Sequence, residues 1–171
     1  MHRLIATIWL ILCANIWAVE LGKIPPLVVL EGKSGGTVNG KTWKSSMLKG
    51  KVYVLFYVDP DVKELNRVLY NTLKRTHFSS QDFGSVAVVN MAATWKPNLL
   101  LKAIVKQKQK EFPRTLYVFD KDKKLLKAWG LGDNNSDVLI FDKEGRLIYQ
   151  KFGELSRTEI QQILNLIQAH L

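Results

Sequence analysis

The sequence predicts an α/β fold in which a central mixed sheet is flanked by helices. Residues 52–58 (VYVLFYV) are apolar and rich in β-branched and aromatic side chains, the pattern of a strand covered on both faces. Val62, Leu65, Val68, Leu69, Thr72 and Leu73 then recur at helical spacing, so this strand feeds an amphipathic helix over 62–75. A second strand over 85–91 (SVAVVNM) and a second helix over 97–110 repeat the order, with Pro97 at the helix start and Leu100, Leu101, Ile104 and Val105 inward. Strand, helix, strand, helix implies a partly parallel sheet with right-handed crossovers.

Taken from the beginning, residues 1–18 read as a secretory signal peptide. Arg3 supplies a basic start, residues 4–17 (LIATIWLILCANIW) are an apolar run, and Ala18 is a small residue at the cleavage position. The alternatives are an uncleaved anchor, for which the run falls short of the about 20 residues that span a bilayer, and lipidation at Cys13, where Leu12 replaces the small residue that lipoprotein signals carry. Each of the three places the folded part outside the inner membrane, and the expected compartment is the bacterial periplasm. No later apolar segment approaches spanning length, so the processed chain is not expected to be an integral membrane protein.

Cys13 is the single cysteine of the 171 residues, so cleavage leaves a chain without a thiol nucleophile, a disulfide or a thiolate metal site. Thiol-disulfide exchange and thiol peroxidase chemistry are thereby excluded. Past residue 18 the chain has 24 Lys and Arg against 15 Asp and Glu, a net charge of +9. In an exported protein such a charge suits anionic envelope components or an acidic protein partner, and no nucleic acid is expected.

Residues 19–46 form an extended N-terminal segment and an irregular hairpin, with Pro25 and Pro26 early and Asn39-Gly40 as the turn signal. Together with 47–171 they make one globular unit. Further on, TLYVFDKDKKLLKAW (115–129) echoes DVLIFDKEGRLIYQK (137–151), and both read as hairpins whose turns are opened by Asp120 and Asp142. Neither turn has the alternating carboxylates of a calcium loop. The chain closes on an amphipathic helix over 156–171, started by a capping box of Ser156 and Glu159 and carrying Ile160, Ile163, Leu164 and Ile167 on its buried stripe.

LKGKVYVLFYVDPDVKELN (48–66) resembles the strand, loop and helix of thioredoxin-fold proteins, and NNSDVLIFDKEGRLIYQKFG (134–153) resembles their later hairpin. With KTWKSSMLKGKVYVL, VAVVNM and SRTEIQQILNLI added, the pattern is similar to the YtfJ family of exported, thioredoxin-like bacterial proteins over about residues 41–166. The resemblance implies a thioredoxin-like fold with an N-terminal hairpin extension. It places Asp61, Val62, Lys63 and Glu64 where redox-active members carry C-x-x-C, and Ser136 where they carry a cis-proline.

Function is therefore sought around that loop. Asp59, Asp61 and Glu64 lie there with Lys63 between them, and Ser136 and Asp137 are expected to approach from the hairpin. Carboxylates so paired suit acid/base work or a divalent cation, while Asp59 or Asp61 is equally an ordinary helix N-cap and Glu64 suits the first turn. Trp95, in the loop before the second helix, is the candidate for an exposed binding contact. No histidine pair has metal-ligand spacing, and no cofactor fingerprint or catalytic triad order is present, so neither metal nor cofactor is expected. A non-redox binding or scaffold protein leads these readings. The alternative is a cysteine-free enzyme using Asp59, Asp61, Glu64 and Ser136, and a third reading is a basic module docking on anionic envelope surfaces.

Overall fold

In the computed structural model, which describes residues 19–171, the two apolar runs become the middle of a six-stranded sheet. The expected signal peptide lies outside the described residues. The strands are β1 (Val29–Leu30), β2 (Gly35–Thr37), β3 (Trp43–Lys44), β4 (Val52–Val58), β5 (Phe83–Asn90), β6 (Thr115–Asp120), β7 (Ser136–Phe141) and β8 (Leu147–Phe152). The helices are α1 (Arg67–Thr76), α2 (Asn98–Glu111), α3 (Lys124–Trp129) and α4 (Arg157–His170). The sheet runs β2-β6-β5-β4-β7-β8. β4 lies parallel to β5 and β5 to β6, whereas β7, β8 and β2 are antiparallel to their neighbours, so the sheet is mixed.

Both faces are covered, which is why the central strands carry almost no polar side chains. On one face Leu55, Tyr57, Val86, Val88, Leu139 and Phe141 pack against Val28, Leu30 and Trp43 of the N-terminal segment and Leu125 and Trp129 of α3. On the other, Val52, Val54, Phe56, Val138 and Ile140 meet Leu69 and Leu73 of α1 and Ile160, Ile163 and Ile167 of α4. Leu101 and Val105 of α2 cover Ala87, Val89, Tyr117 and Phe119. The Ser156–Glu159 capping box is present at the start of α4.

In the N-terminal segment the turn at Asn39-Gly40 forms, with Gly40 N–H donating to Thr37 O at 2.8 Å. β1 and β3 pair as a small ribbon around it, while β2 leaves the hairpin and adds to the edge of the main sheet beside β6. Gly35 is required there, because a Cβ would stand 1.8 Å from Phe119 O.

Three expectations are corrected. The first helix begins at Arg67 and not at Val62; residues 59–66 form successive tight turns, with Val62 N–H on Asp59 O and Leu65 N–H on Val62 O at 3.1 Å each. Neither Asp59 nor Asp61 caps it. In α2, Leu101 and Val105 are inward, but Leu100 and Ile104 face solvent. The first echo segment is not a hairpin: after β6 the Asp120 carboxylate accepts the N–H groups of Lys124 and Leu125, at 2.8 and 2.9 Å, and starts α3. Leu125 and Trp129, one helical turn apart, are then both buried. The second echo is the hairpin expected, with Asp142 Oδ1 accepting from Glu144 and Arg146 N–H and Gly145 at φ +83°.

Candidate functional site

β4, β5 and β6 end side by side, and β7 begins beside the end of β4, with Val58 opposite Ser136. The polar residues of four segments therefore meet at this end of the sheet. Asp59 follows β4 directly and is 1% exposed. Its N–H donates to Asn135 O at 3.0 Å and its Oδ2 accepts Asn135 N–H at 2.9 Å, a reciprocal lock between the β4–α1 loop and the start of β7. Oδ1 is buried with no hydrogen-bond partner among the described residues. Burial pushes the pKa of Asp59 up, the nearby Asp133 charge adds to this, and the hydrogen bonds oppose it.

Asp137 is fully buried on β7. Its Oδ2 accepts Gly132 N–H at 2.6 Å, its Oδ1 has no partner among the described residues, and burial raises its pKa to about 6, with the Asp59 charge adding to the effect. Ser136 is equally buried, and its hydroxyl and carbonyl oxygens accept from Asn66 Nδ2 at 3.2 and 2.9 Å. The same amide donates to Gly153 O at 3.0 Å, and Asn66 Oδ1 accepts Leu155 N–H at 3.0 Å. One asparagine at the start of α1 thus ties together β7 and the connection from β8 to α4. Deeper in, Tyr57 donates its hydroxyl to Asp120 Oδ2 at 3.0 Å, and burial first, then the Asp120 charge, keeps the phenol protonated.

At the surface the arrangement differs. Lys96, in the β5–α2 loop, donates to the Asp61 carboxylate, and this contact, with Thr94, holds the pKa of Asp61 down. Glu64 pairs with Arg67 at 3.4 Å, Lys63 is exposed, and Trp95 beside Lys96 is 87% exposed. The structure therefore brings Asp59, Ser136 and Asp137 together in the interior, brings Asp61 to Lys96, the chain neighbour of Trp95, at the surface, and leaves Lys63 and Glu64 outside both groups. Asn66, Lys96, Asn90 and Asp133 were not singled out from the sequence. Asn90 Nδ2 donates to Asp133 Oδ1 at 3.3 Å, and Asp133 Oδ2 accepts from Lys123 at 2.6 Å, so their partners lie far along the chain and only the residue types, not the pairing, stand in the sequence.

This geometry limits the chemistry. General acid/base catalysis needs a carboxylate or hydroxyl within hydrogen-bond reach of a substrate. Asp59, Ser136 and Asp137 face protein groups, and Asp61 and Glu64 are each engaged by a cation. Among the described residues no group of three or more His, Cys, Asp and Glu is arranged to hold a metal ion. What remains open to solvent is a set of apolar side chains: Trp95, then Leu99, Leu100 and Ile104 on α2, exposed by 87, 81, 50 and 40%.

Comparison with known proteins agrees with the architecture. The pneumococcal exposed lipoprotein thioredoxin of Streptococcus pneumoniae is similar at a TM-score of 0.58, with 22% identity, covering 82% of this chain and 99% of that one. The thioredoxin domain of a thiol-disulfide oxidoreductase from Bacteroides vulgatus is similar at a TM-score of 0.61, with 15% identity, covering 87% and 98%. At those identities the likeness establishes a thioredoxin-like fold and nothing of activity. In sequence the chain is 30% identical over 131 residues to the uncharacterized protein YtfJ of Escherichia coli K12, covering 75% of this chain and 71% of the relative. The family described as "Bacterial protein of unknown function (YtfJ_HI0045)" matches residues 27–170. The chain belongs to this YtfJ family, and its architecture is the thioredoxin-like one.

Proposed function

We propose that the chain is exported to the bacterial periplasm and acts there as a non-redox binding or scaffold protein. Export is supported by the basic start, apolar run and small residue of positions 1–18. The non-redox role is supported by the absence of cysteine after Cys13 and by the ion-paired Asp61 and Glu64 at the positions aligned with C-x-x-C. Residues 19–46 and 47–171 work as one globular unit, a reading supported by Val28, Leu30 and Trp43 packing on the sheet.

The observation that carries the reading is the exposed apolar strip of Trp95, Leu99, Leu100 and Ile104, which begins next to Lys96 in the β5–α2 loop. Exposed aromatic and aliphatic residues grouped on one surface mark interaction sites, and tryptophan is prominent among residues that anchor them. A photo-crosslinking residue placed at position 95 is expected to give a discrete protein adduct in cells, and the same residue at Lys63 a weaker one or none. Equal labelling from both positions removes the strip as the contact.

A second reading is docking on an anionic envelope surface, favoured by Lys102, Lys106 and Lys110, all exposed on α2 next to the apolar strip. Lysines beside an exposed apolar strip are the composition of interfacial helices. Anionic vesicles are then expected to retain the protein at low salt and release it at high salt, because exposed charges are screened. Failure to bind, or binding that ignores salt, rejects this second reading.

A further inference from the structure

A groove of about 570 Å³ lies at the opposite end of the sheet from the candidate site, against the beginnings of β4, β5 and β6 and the facing parts of α1 and α2. Its volume is in the range of small-molecule sites. Tyr70, Phe83 and Phe112 line it on the face covered by α1 and α2, and Tyr53 borders it from the other face, where Gly84 leaves the room it occupies: a Cβ there would stand 2.2 Å from the tyrosine ring.

The polar residues of the groove are mostly cationic. Lys51 donates to Ser80 O and Arg114 to Phe78 O, while the Lys74 ammonium lies 4.6 Å from the centre of the Phe112 ring. All three are held by neutral groups, and none pairs with a carboxylate in the described residues. Glu111, the acid that lines the groove, is taken by Lys108 at 2.9 Å. Trp43 also borders the groove, and its buried indole N–H has no acceptor among the described residues. Cations fixed in place by neutral partners, over an aromatic floor, are preorganised for an anion that brings its own apolar body.

We propose that this groove binds a small amphipathic organic acid, whose apolar body packs among Tyr70, Phe83 and Phe112 and whose anionic head is held by Lys51, Lys74 and Arg114. Recognition is by shape, aromatic contact and charge, with no covalent step. The site is separate from the Trp95 strip, so the two bind independently.

The test is a fluorescence titration of the purified protein with 8-anilinonaphthalene-1-sulfonate, an aromatic body carrying one anionic group, and with its uncharged analogue N-phenyl-1-naphthylamine. One sulfonate per chain is expected to bind. The Lys74→Glu/Arg114→Glu variant should weaken it by roughly tenfold or more while changing the neutral analogue by less than about twofold. Leu99→Ser/Ile104→Ser should change neither. Should the charge-reversed protein lose its native circular dichroism, Lys74→Gln/Arg114→Gln carries the same expectation in weaker form. Equal binding of the sulfonate by wild type and folded variant, several equivalent sites per chain, loss confined to the Leu99/Ile104 variant, or no binding at all overturns the assignment.

Discussion

Asp59 and Asp137 each keep one carboxylate oxygen buried without a partner among the described residues, and this favours the protonated acid in the folded state. For Asp137 the pKa rises from 3.8 to about 6 on folding, with burial as the main cause. Below pH 4 the group is protonated in both states and no penalty arises. Between about pH 4 and pH 6 the unfolded chain ionises this acid while the native protein keeps it protonated, so stability falls, and the fall levels off once the native acid also ionises above about 6. Asp137→Asn removes that titration while the side-chain oxygen still accepts Gly132 N–H. The variant is expected to gain on the order of 2 kcal/mol at pH 7 and to lose the decline between pH 4 and pH 6, read from melting temperature against pH; a wild-type slope retained in the variant refutes it. Glu159 works in the other direction. Lys151, at 2.7 Å, and Ser156 hold its pKa near 2, so its contribution is complete above its ordinary value of 4.5 and fades as pH falls toward 2. Asp59, Ser136 and Asp137 were legible in the sequence as residues near the loop, but not their burial. That depends on the reciprocal bonds between Asp59 and Asn135, which join positions 76 residues apart.

At the scale of elements, Asn66 is the join on which the site's geometry depends. It stands at the start of α1, yet its side chain reaches Ser136 and Gly153, 70 and 87 residues on, and accepts from Leu155. Asn66→Ala leaves several buried backbone groups unpaired, at about 1–3 kcal/mol for each that water cannot reach. The variant is expected to unfold at least about 2 kcal/mol more easily and to show faster amide exchange at Leu155; unchanged exchange there would mean the clamp is not formed. This role also explains the late start of α1, since the residue at its N-cap position uses its side chain for tertiary contacts and leaves the turns of 59–66 to lead in. The paired echo shows where sequence pattern is decisive. Both copies begin with an apolar strand and FDK, but the second has Gly145 at positive φ to close a tight turn, whereas the first has LLKAW, whose Leu125 and Trp129 are spaced for one helical face. The central strands, both long helices and the closing cap were legible because periodicity and local capping encode them; β2 was not, because its glycines carry no pattern and its place beside β6 is set by contacts some eighty residues away.

Across the whole molecule the functional features separate into three zones. The carboxylates at the ends of the strands are interior and hold loops together; the Trp95 strip with α2 faces solvent; the cation-rimmed aromatic groove lies at the other end of the sheet. On the function proposed above, the acids at the loop aligned with C-x-x-C hold structure and the exposed surface next to them takes the partner. The measurement that tests this most directly is capture from a periplasmic extract, comparing wild type with Trp95→Ala/Leu99→Ser and with Asp61→Ala/Glu64→Ala, all exposed positions. The account predicts a specific partner retained by wild type and by the Asp61/Glu64 variant and lost by the Trp95/Leu99 variant. A partner lost only when Asp61 and Glu64 are removed, and still held without Trp95 and Leu99, contradicts it and returns function to the acidic loop.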